Sequence, residues 1–238
     1  RRSSDLFHQP DRIRSVQDLG QRGGGHPAGG AAAHDHDGVV ARLAAMPHSL
    51  DFACLVPHDP LRMYVMGERA IHNVDATDDD IRVMRGELEK ALAAGAFGFS
   101  TGRTDNHRGR DGSETPSADV ISRELAGLGQ AFKSVKHGVL QAVSDFDMPI
   151  SKDRFDPEFE LLLDLARAAG RPLSISVMQR TGDTEQWKRV LSRISEANTQ
   201  GLRVKGQVAP RGIGVLLGLE TTFQPFMGFP SYKEISQL

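Results

Sequence analysis

From residue 49 onward the hydrophobic and polar positions fall into one unit met five times: a short β-branched or aromatic run, a polar tip, then an amphipathic stretch closed by glycine. The strand-like runs are 49–57, 96–101, 138–146, 172–179 and 202–211, with four helical patterns between them. The first helical pattern has Thr77 three residues before Asp80, a capping-box spacing, then Ile81, Met84, Leu88 and Leu92 on one face and Gly95 as its stop. The second carries Ile121, Leu125, Leu128, Phe132 and Val135. The third has Asp156 as its expected cap, Pro157 at the first helical position and Gly170 at its end. The fourth has Asp183 ahead of a stripe of Trp187, Val190, Leu191 and Ile194, and stops at Gly201. Strands alternating with helices of this length predict βαβ units and a parallel sheet. Five such units make about five-eighths of a (β/α)8 barrel. The expected fold class is therefore α/β, a partial (β/α)8 TIM barrel. A complete five-stranded doubly wound sheet is the alternative. Against it, no Gly-rich phosphate turn follows any early strand, and Gly212–Gly218 comes late and lacks the GxGxxG spacing.

Residues 1–47 break the pattern. Seven of the 25 glycines fall before residue 39, and neither helical nor strand period fits the stretch 20–38. We expect two regions: 1–41, either a natural disordered leader or sequence foreign to the domain, such as a shifted reading frame in GC-rich DNA would produce, and 42–238, the patterned domain. His34-Asp35-His36-Asp37 in the first region has the look of a metal motif. Two imidazoles need a rigid strand to hold them on one side. Here they follow Gly29-Gly30-Ala31-Ala32-Ala33, and only 12 residues separate His36 from Ser49, too few for the helix such a unit requires.

Composition narrows the class without adding chemistry. Hydrophobic content of 39% and charged content of 25% suit a globular domain. A net charge of −2 gives no reason to expect nucleic acid or a membrane as partner. The longest apolar stretches fall far short of a span. Cys54 is the only cysteine, so no intramolecular disulfide forms; it is expected as an inert core thiol. No secretory leader pattern is seen, and a cytoplasmic location is the default expectation.

In parallel sheets of this kind chemistry sits where strand ends meet loops. That rule selects the candidate residues. His58, after the first strand, is either a barrel-mouth acid, base or ligand, or a loop histidine bonded to backbone. Ser100 and Arg103 close the second strand, where a guanidinium suits a carboxylate-bearing small-molecule substrate or else pins its own loop. His107 lies in a charged loop and is expected to be solvated. Gln141 and Asp145 sit four apart on the third run and so face one side; Asp145 is a candidate general base, ligand or turn cap. Gln179 and Gln207 repeat the glutamine theme, and Arg211 is a second candidate anion contact.

Two stretches resemble a known family. They are Leu55-Val-Pro-His58 through Leu61-Arg62-Met-Tyr-Val-Met66-Gly67, and Ala91-Leu-Ala-Ala-Gly95 through Gly98-Phe-Ser100-Thr-Gly-Arg103-Thr with Asn106-His107-Arg108. With Gly138-Val-Leu-Gln141-Ala-Val-Ser-Asp145-Phe and Gln207-Val-Ala-Pro210-Arg211, they resemble the N-acyl-D-amino-acid deacylase branch of the amidohydrolase superfamily, over about residues 42–238. The resemblance implies a (β/α)8 barrel with a small β-sandwich, hydrolysis of a non-peptide amide C–N bond, and zinc held by a strand-one His-x-His, a bridging Cys or carboxylate, two later histidines and a strand-eight Asp. This sequence departs from that set. The strand-one pair is expected well over a hundred residues before His58 and the strand-eight Asp past Leu238, while Gln141 and Gln179 stand where the middle-strand histidines belong. The metal ligands are thus unknown, and these residues alone are expected to be a fragment with little activity. On this reading His58 and Asp145 are the catalytic candidates, and Ser100, Arg103, Gln141, Gln179, Gln207 and Arg211 the substrate-binding ones. The rivals are a non-catalytic barrel that binds a small ligand and a metal-free barrel lyase or isomerase.

Overall fold

Five parallel strands form one sheet in sequential order: β1 (Leu55–Pro57), β2 (Gly98–Arg103), β3 (Val139–Ser144), β4 (Leu173–Ser176) and β5 (Val204–Gln207). The computed structural model describes residues 45–47, 49, 53–104, 107, 113–146, 154–180, 183–212, 214, 217–219, 225–226 and 229–235. The expectations for 1–41, with the His34–Asp37 motif, lie outside the described residues. A parallel sheet in sequential order, joined by right-handed crossovers, puts its helices on one face. The side chains show it. Val56, Phe99, Leu140, Leu173 and Val204 lie in register across all five strands, and none is more than 1% exposed. The alternate row, Pro57, Ser100, Gln141, Ser174 and Lys205, is also in register and lies on the opposite, more open face. The expected α/β class with parallel strands is what the chain adopts.

The connecting helices are α1 (His58–Met66), α2 (Glu68–Ile71), α3 (Asp78–Ala93), α4 (Ser122–Gly129) with a 3-10 turn over Gln130–Ser134, α5 (Phe155–Ala169), α6 (Gln186–Thr199) and a short α7 (Pro230–Ile235). α3 is built as its sequence predicts. The Asp80 N–H donates to Thr77 Oγ1 and the Thr77 N–H returns a bond to Asp80 Oδ2, closing the capping box. Met84, Leu88 and Leu92 are fully buried below it. In α5 the buried stripe runs Phe155, Phe159, Leu162 and Ala166, and Gly170 ends it at φ 61°. Gly98 in β2 has no alternative: a Cβ there would stand 1.9 Å from the Val139 carbonyl oxygen.

Several expectations need correction. The first strand was expected over 49–57 but β1 has three residues, and His58 is not a loop residue; it opens α1, with Asp59 and Pro60 in the first turn, where a carboxylate and a missing N–H favour helix initiation. Arg154, not Asp156, stands at the start of α5, and Asp156 instead bonds Arg189 at 2.6 Å. Glu185 stands at the N-cap position of α6 without a side-chain capping bond, and Asp183, two residues earlier, accepts the Glu185 N–H. Ile121 and Leu191 are 39% and 42% exposed rather than core, because the helix packs on the neighbouring stripe positions. Cys54 lies before β1 and is half-buried, its carbonyl accepting from Phe97 N–H.

The cap at α3 carries a pH prediction. The Arg69 guanidinium, helped by the Thr77 hydroxyl and N–H, holds the Asp80 carboxyl down at about 2, from an ordinary 3.8. A carboxyl lowered on folding adds stability that is complete above its unfolded value and is lost as pH falls through the folded one. After screening at the half-exposed Arg69, the contribution is about 1–2 kcal/mol. Urea unfolding of wild type should lose that amount between about pH 5 and pH 2, beyond the loss seen in Asp80→Asn. Parallel curves for the two proteins would refute it.

Candidate active site at the strand ends

Strand parity sorts the candidate residues into two groups. In β2, positions 99, 101 and 103 face the helices, while 98, 100 and 102 face the open side; in β3, 140, 142 and 144 face the helices.

On the helix side lie two closed polar clusters. His58 is 1% exposed; its Nε2–H donates to Glu124 Oε1 at 2.8 Å and its Nδ1 meets the Thr101 hydroxyl at 3.0 Å. The ring stands edge-on to Phe99, 5.2 Å between centroids. The same Glu124 oxygen lies 2.8 Å from Arg62 Nε, a charge contact too bent for a hydrogen bond, while the Arg62 guanidinium donates to the carbonyls of Val74 and Pro116. The second cluster is Arg103, which grips Glu158 with two bonds of 2.5 and 2.9 Å and donates to the Val120 and Ser117 carbonyls. Ser144 adds a third bond to Glu158 at 3.0 Å. Both ring nitrogens of His58 and all three nitrogens of the Arg103 guanidinium are thus engaged behind the sheet, away from the open face.

Thr104 and Asp145 follow the C-terminal ends of β2 and β3, and Arg180, four residues past the end of β4, meets them there. Thr104 Oγ1 donates to Asp145 Oδ2 at 2.8 Å, the Arg180 guanidinium pairs with Asp145 Oδ1, and the Asp145 N–H donates to the Arg103 carbonyl. Asp145 is 4% exposed; the Arg180 side chain is 21% exposed. The next residue, Phe146, takes a left-handed φ of 54°, unfavourable for a bulky side chain. It is held there by its N–H bond to Ser144 Oγ, by a tilted ring contact with Phe155 at 5.0 Å and by stacking on Phe159 at 5.7 Å. Strain of this kind persists only where the surroundings over-determine it, and such places concentrate at functional sites. His107 is exposed, and its Nδ1 would lie 3.2 Å from a Cβ placed on Gly102, so its ring covers the open side of β2.

Of the substrate-binding candidates, Ser100 and Gln141 are neighbours in the open-face row, which continues into Ser174 and Lys205. Gln207 accepts a bond from the Ser174 hydroxyl at 3.1 Å. Gln179 lies exposed beyond β4, and Arg211 is exposed, donating to the Gly212 carbonyl. The structure therefore brings Asp145, Ser100 and Gln141 to one face and sends His58 and Arg103 to the other. Sequence reasoning pointed to the strand tip that holds Arg180 without giving that residue a role, and passed over Thr104, Glu124 and Glu158. The two glutamates carried a signal: each occupies an apolar-stripe position of its helix, beside Leu125 and Phe159, where a carboxylate stays only if paired.

The described donors do not fit a metal ion. Among the described residues no three His, Cys, Asp or Glu side chains are grouped to hold one. The strand-end carboxylate, Asp145, has one oxygen on a hydroxyl and the other on a guanidinium, so a cation bound there must displace a fixed positive charge. Among the described residues no helix is long and apolar enough to cross a membrane.

Comparison with known proteins bears on the fold. No family model matches the chain. A D-aminoacylase from Alcaligenes xylosoxydans xylosoxydans is 45% identical over 62 residues, which are 25% of this chain and 12% of that protein. Two crystal structures share the fold at a TM-score of 0.56 and 23% identity, covering 74% of this chain and 34% of theirs: a D-aminoacylase described as defining a novel subset of amidohydrolases, and a D-aminoacylase mutant in complex with copper chloride. The chain thus spans about a third of the length of the D-aminoacylase structures it matches.

Proposed function

We propose that this chain supplies strands of an amide hydrolase of D-aminoacylase type, acting on an N-acylated small molecule that carries a carboxylate. One observation carries the reading: a buried carboxylate, Asp145, at the end of the sheet's central strand, beside the strained Phe146 and above the polar Ser100–Gln141 row. The sheet's likeness to D-aminoacylase supports the reaction class. In the reaction, Asp145 takes a proton from water as the water oxygen bonds to the acyl carbon. The C–N bond then breaks, and the proton passes to the leaving nitrogen. Ser100 and Gln141 offer hydrogen bonds to the amide. His58 and Arg103 act from behind the sheet, fixing β1 and β2 against the helices.

The test is release of free amine from a panel of N-acetyl-D- and N-acetyl-L-amino acids, with the protein purified as its own cells make it. Asp145→Asn is expected to lower kcat by about 10²–10⁴, the usual contribution of a general base. No amine release from any member of the panel would sink the reading and leave a ligand-binding barrel. Turnover undiminished after chelation and metal analysis would point to metal-free barrel chemistry, in which Asp145 still serves as the base.

A further inference from the structure

We propose that His107 is the proton donor to the leaving nitrogen, working from a seat over β2 that the bare backbone of Gly102 provides. This rests on the hydrolase reading just given and adds to it the group that completes the reaction.

Hydrolysis of an amide needs two proton movements. Water loses a proton as its oxygen bonds to the acyl carbon, and the nitrogen must gain one as the C–N electron pair leaves on it. Asp145 is fixed between the Thr104 hydroxyl and the Arg180 guanidinium, so a second group must reach the nitrogen. An imidazole suits that task, because it takes up and gives back a proton near neutrality. Of the described histidines, His58 is bonded through both ring nitrogens behind the sheet, His72 follows α2, and His137 stands ahead of β3 at the other end of the sheet. Among the described residues His107 alone is a histidine at the strand ends on the open face.

Three observations place it there. The His107 N–H donates to the Thr104 carbonyl at 3.4 Å, and the Thr104 hydroxyl donates to Asp145 Oδ2 at 2.8 Å, so the histidine hangs from the residue that holds the carboxylate. Gly102, beneath the ring, is in register with Val143, two residues before Asp145 and one strand spacing away, about 4.8 Å. A Cβ on Gly102 would stand 3.2 Å from Nδ1 and 3.9 Å from Cε1, so the ring lies against the glycine with Nε2 farther out. Among the described residues no hydrogen bond ties either ring nitrogen, and the residue is exposed, so a ligand on the open face can reach it.

In the step, the Nε2–H bond of the imidazolium breaks as an N–H bond forms at the leaving nitrogen and the C–N pair moves onto it. The neutral ring is then reprotonated, through solvent, with the proton that Asp145 took from water. The proton thus passes from water to nitrogen by way of the ring, with none gained or lost over the cycle.

The experiment follows amine release by the full chain from the panel member it turns over fastest. His107→Ala is expected to lower kcat by about 10²–10⁴. KM should stay within about twofold and urea unfolding should not change. Added imidazole, entering the vacated seat, should restore the rate at least about tenfold. Gly102→Val fills that seat from the strand, so its kcat should fall as well, without rescue by imidazole. Wild-type kcat in His107→Ala, or a loss that imidazole does not touch, overturns the proposal and leaves the hydrolase reading standing. Rescue of Gly102→Val overturns it too. Should His107→Ala fail to fold, the ring Cε1–H resonance of wild type, assigned through His107→Gln, decides: it must shift on adding N-acetyl-D-leucine, and a still resonance overturns the proposal. Absence of amine release from wild type is the other failure, which removes the hydrolase reading and the donor role together.

Discussion

Glu124→Ala should unfold in urea with a stability lower than wild type by about 3–5 kcal/mol, one of the two largest single effects expected in this protein. The substitution leaves Arg62 in place, 2% exposed, with its only carboxylate contact among the described residues gone. It also strips the acceptor from His58 Nε2. An uncompensated buried charge is more damaging than the lost pair itself, because the desolvation already incurred by the guanidinium is no longer offset. Glu124→Gln is the informative companion. Its amide oxygen still accepts from His58, so its loss should be clearly smaller. A Glu124→Ala protein within about 1 kcal/mol of wild type would mean that water reaches Arg62 and that the cluster is not a tie. The same measurement bears on His58. A histidine serving as a tie registers in unfolding free energy, whereas one serving as acid or base registers in the pH profile of turnover.

Arg103→Ala is expected to lose a similar amount, about 3–5 kcal/mol, by the mirror argument. Here Glu158, 4% exposed on α5, would keep only the Ser144 hydroxyl among the partners described above, and the Val120 and Ser117 carbonyls would lose their donor. Replacing both charges together, as Arg103→Met with Glu158→Leu, should recover about half of the loss, since apolar groups of similar size require no counter-charge. Equal stability of the single and double variants would show that the carbonyl bonds, not the ion pair, hold the segment. The variant also separates two roles for Arg103. A substrate contact raises KM with little change in stability; a tie between β2 and α5 lowers stability.

The sheet itself was legible. Five β-branched runs separated by capped, striped and glycine-stopped helices can be satisfied only by parallel strands with helices laid on them, because each period declares which face is buried. Thr77 and Asp80 closed their box as spaced, since a cap is a contact between residues three apart and needs nothing from elsewhere in the chain. The helix at 58–66 was hidden because a strand and a helix abut there with no loop to punctuate them.

What the sequence by itself determined about this protein, then, is local: strand and helix type, the capping box of α3, the glycine stops, and the fact that Asp145 and Gln141 share a face. Only the tertiary structure decided which way the end residues turn. Arg103 and Asp145 both sit at strand ends, and their backbones bond to one another, yet parity sends the guanidinium to the helices and the carboxylate to the open side. Arg180 lies 35 residues beyond Asp145 in the chain, and Glu124 lies 66 beyond His58. No spacing rule reaches so far. The pairing of buried charges depends on which strands lie side by side, and that follows from the whole sheet rather than from any segment of it.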